Sequence, residues 1–476
     1  MIVVCLILAL LIVFVAVLLM RASGFRPEPE APVSAPAEAV DEGCIASLQE
    51  LIRCRTVSYR DKSLEDEGEF QRLEALLPKL FPHVAQACRF AKPGPRSLVY
   101  HWPGVSALEP GVLMAHYDVV PVNEDMWDKP AFEGLLEDGV LWGRGTLDTK
   151  GTLLGVLQAA DDLIAQGFVP QHDLYLAFAG DEEISGQGAP DIIRWLQENG
   201  VKPHFVLDEG GAVVEKVFPG VKQPCALIGI AEKGPMDVRF TLDTSGGHAS
   251  TPPPHTPVGQ LARAVCNVEK HPFPFTLTTP ALEMFDILGR RSTLLYRVIF
   301  ANLWCFRPVL SLFCRLSGGE LNALVRTTVA FTQMEGSAAS NVLPPHAWVG
   351  ANLRLIPGET VEGARKRLQK LAGKRIKVSV SMGMDPSAVS RTDDEPYQRL
   401  RTAIRGTWTD AVVSPYLMLA CSDARHYSPI CEHVYRFSAM ALSKEERGMI
   451  HGNNERVPVE TILKTVAFYR RLIRSC

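Results

Sequence analysis

The sequence predicts an α/β protein: a main domain with a mostly parallel central sheet, interrupted by an inserted α+β domain with an antiparallel sheet. Two patterns lead there. Compact apolar runs alternate with helical periodicity on both sides of the middle of the chain, which is how strands buried on both faces and their crossover helices read. Near residue 230 the style changes to strict alternation of apolar and polar residues, the pattern of strands with one wet face. At 476 residues the chain has room for two domains.

The chain opens with "MIVVCLILALLIVFVAVLLM", twenty residues without a charge, long enough to span a ~30 Å hydrocarbon core as a helix. It has no basic start and exceeds a signal-peptide apolar core, so residues 1–21 read as an uncleaved anchor ahead of a signal segment. Arg21 and Arg26 follow it. A positive-inside count would place the remainder in the cytoplasm, but large domains translocate regardless of such charges. Residues 22–42 hold four prolines among alanine and glutamate and read as an extended stalk.

The main domain begins at 43 and runs to 230. Its strand signals are "GVLMAHYDVV" (111–120), "DLYLAFAG" (173–180) and "HFVLD" (204–208). Between the first two, Leu153, Val156, Leu157, Ala160, Leu163 and Ile164 recur at helical spacing over 149–167, with Gly167 as a stop. A second helix opens at Pro190 and Asp191 and ends at Gly200.

The insert is placed at 231–356, bounded by "PMDVRFTLD" (235–243) and "HAWVGANLRL" (346–355). The main domain resumes at 357–476 with a helix over 361–372, the strand "IKVSVSM" and an amphipathic helix over 457–474. Inside the insert, 282–316 is crowded with large apolar side chains but broken by Arg290, Arg291, Arg297, Arg307 and Arg315. Those arginines argue against a second membrane span. The segment reads as a helical pair packed on the small sheet, as a wall for an apolar substrate tail, or as a surface that touches a membrane.

Composition excludes several functions. A net charge of −4, with 47% apolar and 21% charged residues and no Lys/Arg stripe, gives no nucleic-acid-binding surface. The eleven cysteines include no C-x-x-C pair, which removes zinc-ribbon and thioredoxin-like readings. Ten of them lie outside the apolar start, a number that permits disulfides without demanding them. The turn "LWGRGTLDTKG" (141–151) lacks the Walker and dinucleotide spacings, and no G-x-S-x-G or H-E-x-x-H occurs.

Ligand-type residues do recur where strands end. His116 and Asp118 are two apart at the end of the first strand and share a face. Asp148 lies in the glycine-rich turn, Glu182 and Glu183 follow the second strand, Asp208 closes the third, and His451 lies in "MIHGNNERV". In an open α/β sheet, ligands bind beyond the carboxyl ends of the strands. Carboxylates gathered there without countercharge would repel one another and titrate high. A divalent cation resolves that conflict, and imidazole with carboxylate is a donor set of catalytic zinc. Singly, each has a duller role: a hydrogen-bonded core histidine, a solvated Glu-Glu, a helix-capping aspartate.

"MAHYDVVPV", "LWGRGTLDTKG", "GDEEISGQG", "VLDEGG", "SGGHAST" and "HGNNERV" together resemble, in order, the signatures of the co-catalytic zinc aminoacylase and carboxypeptidase family of metallopeptidases. "RTTVAFTQMEG" and "SNVLPPHAWVGANLRLIPG" resemble its branch of carboxypeptidase S and N-fatty-acyl-amino acid synthase/hydrolase. The resemblance implies a di-zinc catalytic domain and a lid domain that in relatives often dimerises. Two Zn2+ per chain are implied, with Co2+ or Mn2+ as substitutes. His116 and Asp208 would bind one metal, Glu183 and His451 the other, and Asp148 would bridge them, followed by a cis peptide.

Asp118 would hold the His116 ring, a role worth roughly 10–100-fold in affinity or activity. Glu182 would be the general base that takes a proton from the attacking water and returns it to the departing amine. His248, from the lid, would stabilise the oxyanion. Asn341 and Arg354 would bind substrate, Arg354 through its free carboxylate. Both also suit ordinary strand faces. Asp423 and Arg425, in "CSDARHYSP", receive no catalytic role, and Arg144 reads as a structural brace.

The activity implied is hydrolysis of an amide next to a free carboxylate, in N-acyl amino acids or at peptide C-termini, by an enzyme that is membrane-bound or secreted with its catalytic domain outside the cytoplasm. A non-catalytic binding relative is the remote alternative; the six suitable residues at the metal and base positions argue against it.

Overall fold

The computed structural model describes residues 2–30 and 38–476. An eight-stranded sheet forms the centre of the main domain, in the order Arg89–Ala91, Ser97–Trp102, His172–Ala179, Ser106–His116, Phe205–Val214, Val434–Leu442, Cys225–Glu232, Val412–Met418. Ser106–His116 pairs in parallel with both His172–Ala179 and Phe205–Val214, and Val434–Leu442 continues that direction. The sheet is therefore mixed: a parallel core with antiparallel pairs at Ser97–Trp102 and Cys225–Glu232. The predicted strand 204–208 runs on to Val214, which leaves Asp208 inside it.

The helix Lys150–Ala165 is buried nearly all round, between the sheet and the C-terminal helix Val459–Arg474. Parallel neighbours put the ends of Ser106–His116 and His172–Ala179 at the same sheet edge, and the site forms there.

The lid is a four-stranded antiparallel sheet in the order Thr328–Glu335, His346–Leu355, Gly234–Asp243, Lys377–Gly383. The alternation read from the sequence is real: Met236, Val238, Phe240 and Leu242 are buried against Val349, Ala351, Leu353 and Leu355. The boundary at 356 is not. The strand at Lys377–Gly383 pairs with Gly234–Asp243, and the helix Val361–Ala372 packs on that sheet, so the lid ends near residue 383. A one-face-buried strand fits either domain by pattern, and only its pairing partner decides.

Of the readings of the apolar stretch 282–316, packing on the small sheet is the one that the structure corrects. The helix Thr279–Arg291 packs on the edge strand Val412–Met418 of the main sheet, not on the lid. Its Phe285 joins Phe218 and Phe300 in a ring cluster with centroids 4.8 to 5.8 Å apart. Such contacts are worth about 0.5–1.5 kcal/mol a pair beyond burial.

The described ends of the predicted stalk lie on the body. Glu30 ion-pairs with Arg291, Arg401 and Arg405, and Arg470 donates to the Ala39 carbonyl. The rest of that segment, 31–37, lies outside the described residues. All eleven cysteines are free thiols.

Lys233 marks the passage between the domains. Its buried ammonium donates to the carbonyls of Ala323 and Arg326, and burial, with Arg354 nearby, pushes its pKa down to about 7. An unfolded lysine titrates near 10.4. Between those values the unfolded chain holds the extra proton, so this residue's contribution to stability rises with pH. The urea midpoint of the wild type should gain on that of Lys233→Met from pH 7 to 10; a constant difference across that range contradicts the assignment.

Candidate metal centre

His116 ends its strand with its backbone tied to the Thr149 hydroxyl in both directions, at 3.1 and 2.9 Å. Its Nδ1 lies 3.0 Å from the Asp118 carbonyl oxygen, which assigns the proton to Nδ1 and frees Nε2. Nε2 lies 2.9 Å from Asp148 Oδ1. The other Asp148 oxygen lies 3.0 Å from His451 Nε2, which is also 3.0 Å from Glu183 Oε2. One carboxylate thus stands between two imidazoles that are 335 positions apart by number (451 − 116). The Asp148–Thr149 peptide bond is cis.

Asp118 does more than face the histidine. Its carboxylate, 3.3 Å from His116 Nδ1, accepts from the Glu182 and Glu183 amides at 3.1 and 3.2 Å and from Ser58 Oγ at 2.7 Å. It therefore sets the turn that aims both glutamates into the site.

Asp208 is placed differently from expectation. Its two oxygens accept from the amides of Glu209 (2.9 Å) and Ala424 (2.8 Å). Glu209, which the sequence reading passed over, instead puts Oε1 3.5 Å from His116 Nε2. Donor atoms of His116, Asp148 and Glu183 lie within 4.8 Å of one another, as do those of His116, Glu182 and Glu209. The tandem acids of "VLDEGG" were the available signal: adjacent strand residues face opposite ways, so one of the pair had to turn from the site.

The electrostatics call for a cation. Burial raises the carboxyl groups of Glu182, Glu183 and Asp208, and lifts Glu209 and Asp423 to about 8. Burial also works against charging Asp148, but its bonds to the two histidines outweigh it and hold that carboxyl low. Glu183 Oε1 is buried with no hydrogen-bond partner. An orphaned carboxylate oxygen amid imidazole and carboxylate donors fits a divalent metal, including zinc. Asp423, given no role from sequence, belongs to this charge cluster through its interaction with Asp208 and His116.

The predicted substrate residues stand apart on the lid. Gly247–His248 pairs with Val342–Leu343, and Ala249 donates to the Asn341 carbonyl at 2.9 Å, so His248 and Asn341 are neighbours. Both are exposed, and His248 Nδ1 lies 2.7 Å from Ser250 Oγ. Arg354 sits at the far end of its strand, opposite Pro235, with Nη1 3.0 Å from Cys421 Sγ of the main domain.

Arg144 is the brace its sequence context suggested. It donates to Glu455 (2.6 Å) and to the Gly452 carbonyl (2.6 Å), and Glu455 in turn accepts from the amides of Gly145, Leu147 and Asp148. Both side chains are at most 2% exposed.

The sequence profile of peptidase family M20/M25/M40 matches residues 112–475. N-fatty-acyl-amino acid synthase/hydrolase PM20D1 of Xenopus tropicalis is 36% identical over 98% of this chain and 93% of its own. Probable carboxypeptidase S-like 2 of Dictyostelium discoideum is 35% identical, over 88% and 82% respectively. Among solved structures, the M20 metallo-carboxypeptidase Sso-CP2 of Sulfolobus solfataricus shares the fold with a TM-score of 0.66 at 17% identity, over 91% of this chain and 99% of its own. YXEP of Bacillus subtilis, described as a dinuclear metal binding peptidase, shares it at 0.56 and 9% identity, over 91% and 98%.

Breaking a buried ion pair by removing one partner costs about 3–5 kcal/mol. Glu455→Gln should lose stability of that order in chemical denaturation and release metal at lower chelator concentration than the wild type. An unchanged chelator midpoint would show that the brace does not shape the site.

Proposed function

The chain belongs to peptidase family M20/M25/M40 and is a metallohydrolase of amide bonds; from that premise we propose that it cleaves N-acyl amino acids with long apolar acyl chains and can form them in reverse. The observation that carries the acyl preference is a mostly apolar cavity of about 290 Å³. Its lining includes Gly210 and Ile450, next in sequence to Glu209 and His451, together with Val214, Leu227, Met284 and Leu324. Its volume is close to the lower end of small-molecule sites. The Xenopus tropicalis relative is named for N-fatty-acyl-amino acids, which supports the same reading.

His116, Asp148, Glu183, His451 and either Glu209 or Asp208 would hold two divalent cations, zinc in the first instance with cobalt or manganese as substitutes. Bound there, the metals supply Lewis acidity and lower the pKa of water towards ~7. The chain's own groups do the rest. Glu182 takes a proton from the attacking water as its oxygen adds to the amide carbonyl, and passes that proton to the nitrogen as the C–N bond breaks. His248 donates to the developing oxyanion when the lid closes, Arg354 pairs with the free carboxylate of the amino acid, and Asn341 orients it. Synthesis runs the same steps backwards.

A carboxypeptidase acting on short peptides is the second reading, supported by the Dictyostelium discoideum relative. It shares the carboxylate grip and differs in what occupies the acyl side.

Removing a general base costs about 10²–10⁴-fold. Glu182→Gln should reduce turnover by that factor while metal content by mass spectrometry stays at the wild-type level; full activity in this variant rules out the base. Across N-oleoyl and N-acetyl amino acids and dipeptides, the N-oleoyl substrates should give the highest kcat/KM. Leu324→Trp should lower it for N-oleoyl substrates and leave N-acetyl substrates near wild type. A preference for short chains or dipeptides favours the peptidase.

A further inference from the structure

The N-terminal helix Ile2–Gly24 is docked onto the protein through its C-terminal part, while residues 2–17 are exposed. Leu18 and Ala22 are buried against the short helix Leu294–Phe300 and the turn after it. Asn302, itself fully buried, donates to the Leu18 carbonyl at 3.1 Å, and Arg21 donates to the Ala301 carbonyl. Further up the helix, Phe14 meets Trp304 edge-on with ring centroids 6.2 Å apart.

Leu294–Phe300 and Leu303–Ser317 form an elbow bent by 105°. The second arm carries an exposed apolar face: only Cys314 is buried, whereas Val309, Leu312, Phe313 and Leu316 are 54 to 78% exposed. Those four recur at i, i+3, i+4 and i+7, one face of a helix. Arg307 and Arg315 are exposed too and sit at the margin of that stripe: Arg307 lies over the Phe275 ring and Arg315 donates to the Lys270 carbonyl. Water does not select that arrangement. An apolar stripe of this kind marks an interaction surface.

The docked helix says what covers it. Phe14 precedes Arg21 by seven residues, about 10 Å along a helix. If Ile2–Gly24 spans a bilayer with Arg21 at the polar boundary, Trp304 lies well inside the hydrocarbon, and the elbow beside it must enter the same leaflet. We propose that the N-terminal helix is retained in the mature protein and that the Leu294–Ser317 elbow is a second, monotopic membrane element, the two forming one lipid-facing surface under the main domain. A helix of this type lies in the interface with its apolar face in the acyl boundary. The proposal does not depend on which amide the enzyme cleaves.

The full chain, reconstituted into phosphatidylcholine vesicles with bromine on the acyl chains, tests it by tryptophan quenching against unbrominated vesicles. Six of the seven tryptophans lie outside the proposed surface, so the quenched part of the emission should vanish in Trp304→Phe. Adding Leu316→Trp to that variant should restore it. Equal quenching in wild type and Trp304→Phe, or none in the wild type, overturns the proposal. An unquenched Leu316→Trp also does so, because it means that another copy or partner covers the arm. Intact mass of the cell-derived protein should include residues 2–24; their removal overturns retention.

Discussion

The buried pair of Arg144 and Glu455 is the constraint on which the site depends. Glu455 gathers three successive-loop amides, those of Gly145, Leu147 and Asp148, while Arg144 reaches back to the Gly452 carbonyl, one residue after His451. Two loops more than 300 residues apart, one carrying Asp148 and the other His451, are thereby locked to each other. Neither charge tolerates burial alone, so the two loops keep their relative position or both ions are left uncompensated. The spacing of His116, Asp148 and His451 follows from that lock.

Around it the site is built by contrast between satisfied and unsatisfied acids. Asp118 and Asp208 are fixed by backbone amides and, for Asp118, by Ser58. Burial raises Glu182, Glu183, Glu209 and Asp208, and Glu183 Oε1 is buried without a partner, the condition of groups that favour a cation or a proton. A divalent cation among these carboxylates would relieve the repulsion between them. His248 and Asn341 lie side by side and exposed on a separate two-stranded ribbon, apart from the acids of the main domain.

The second apolar region follows a different logic. In the elbow, leucine, valine and phenylalanine form an exposed stripe, with Arg307 and Arg315 tethered at its margin to a ring and a carbonyl. So continuous an apolar stripe is unusual for a surface that faces water. It becomes coherent only with the N-terminal helix packed alongside.

The sequence by itself determined the α/β class, the alternating lid strands and most of the acids and histidines that the fold gathers into one cluster, because periodicity and strand-end acids are local patterns. It also marked Arg144 as a brace without supplying its partner. Tertiary structure decided what depends on which segments meet. Lys377–Gly383 joins the lid because of its hydrogen-bonded neighbour, not its composition. The first part of 282–316 packs on the main sheet, where Phe285 and Phe300 meet Phe218 and the helix Thr279–Arg291 meets Val412–Met418. Glu209 joins Asp208 in the cluster because the Ala424 amide, remote in sequence, fixes the aspartate while Glu209 reaches His116. Each of these outcomes turns on long-range pairing, for which one sequence carries no local signature.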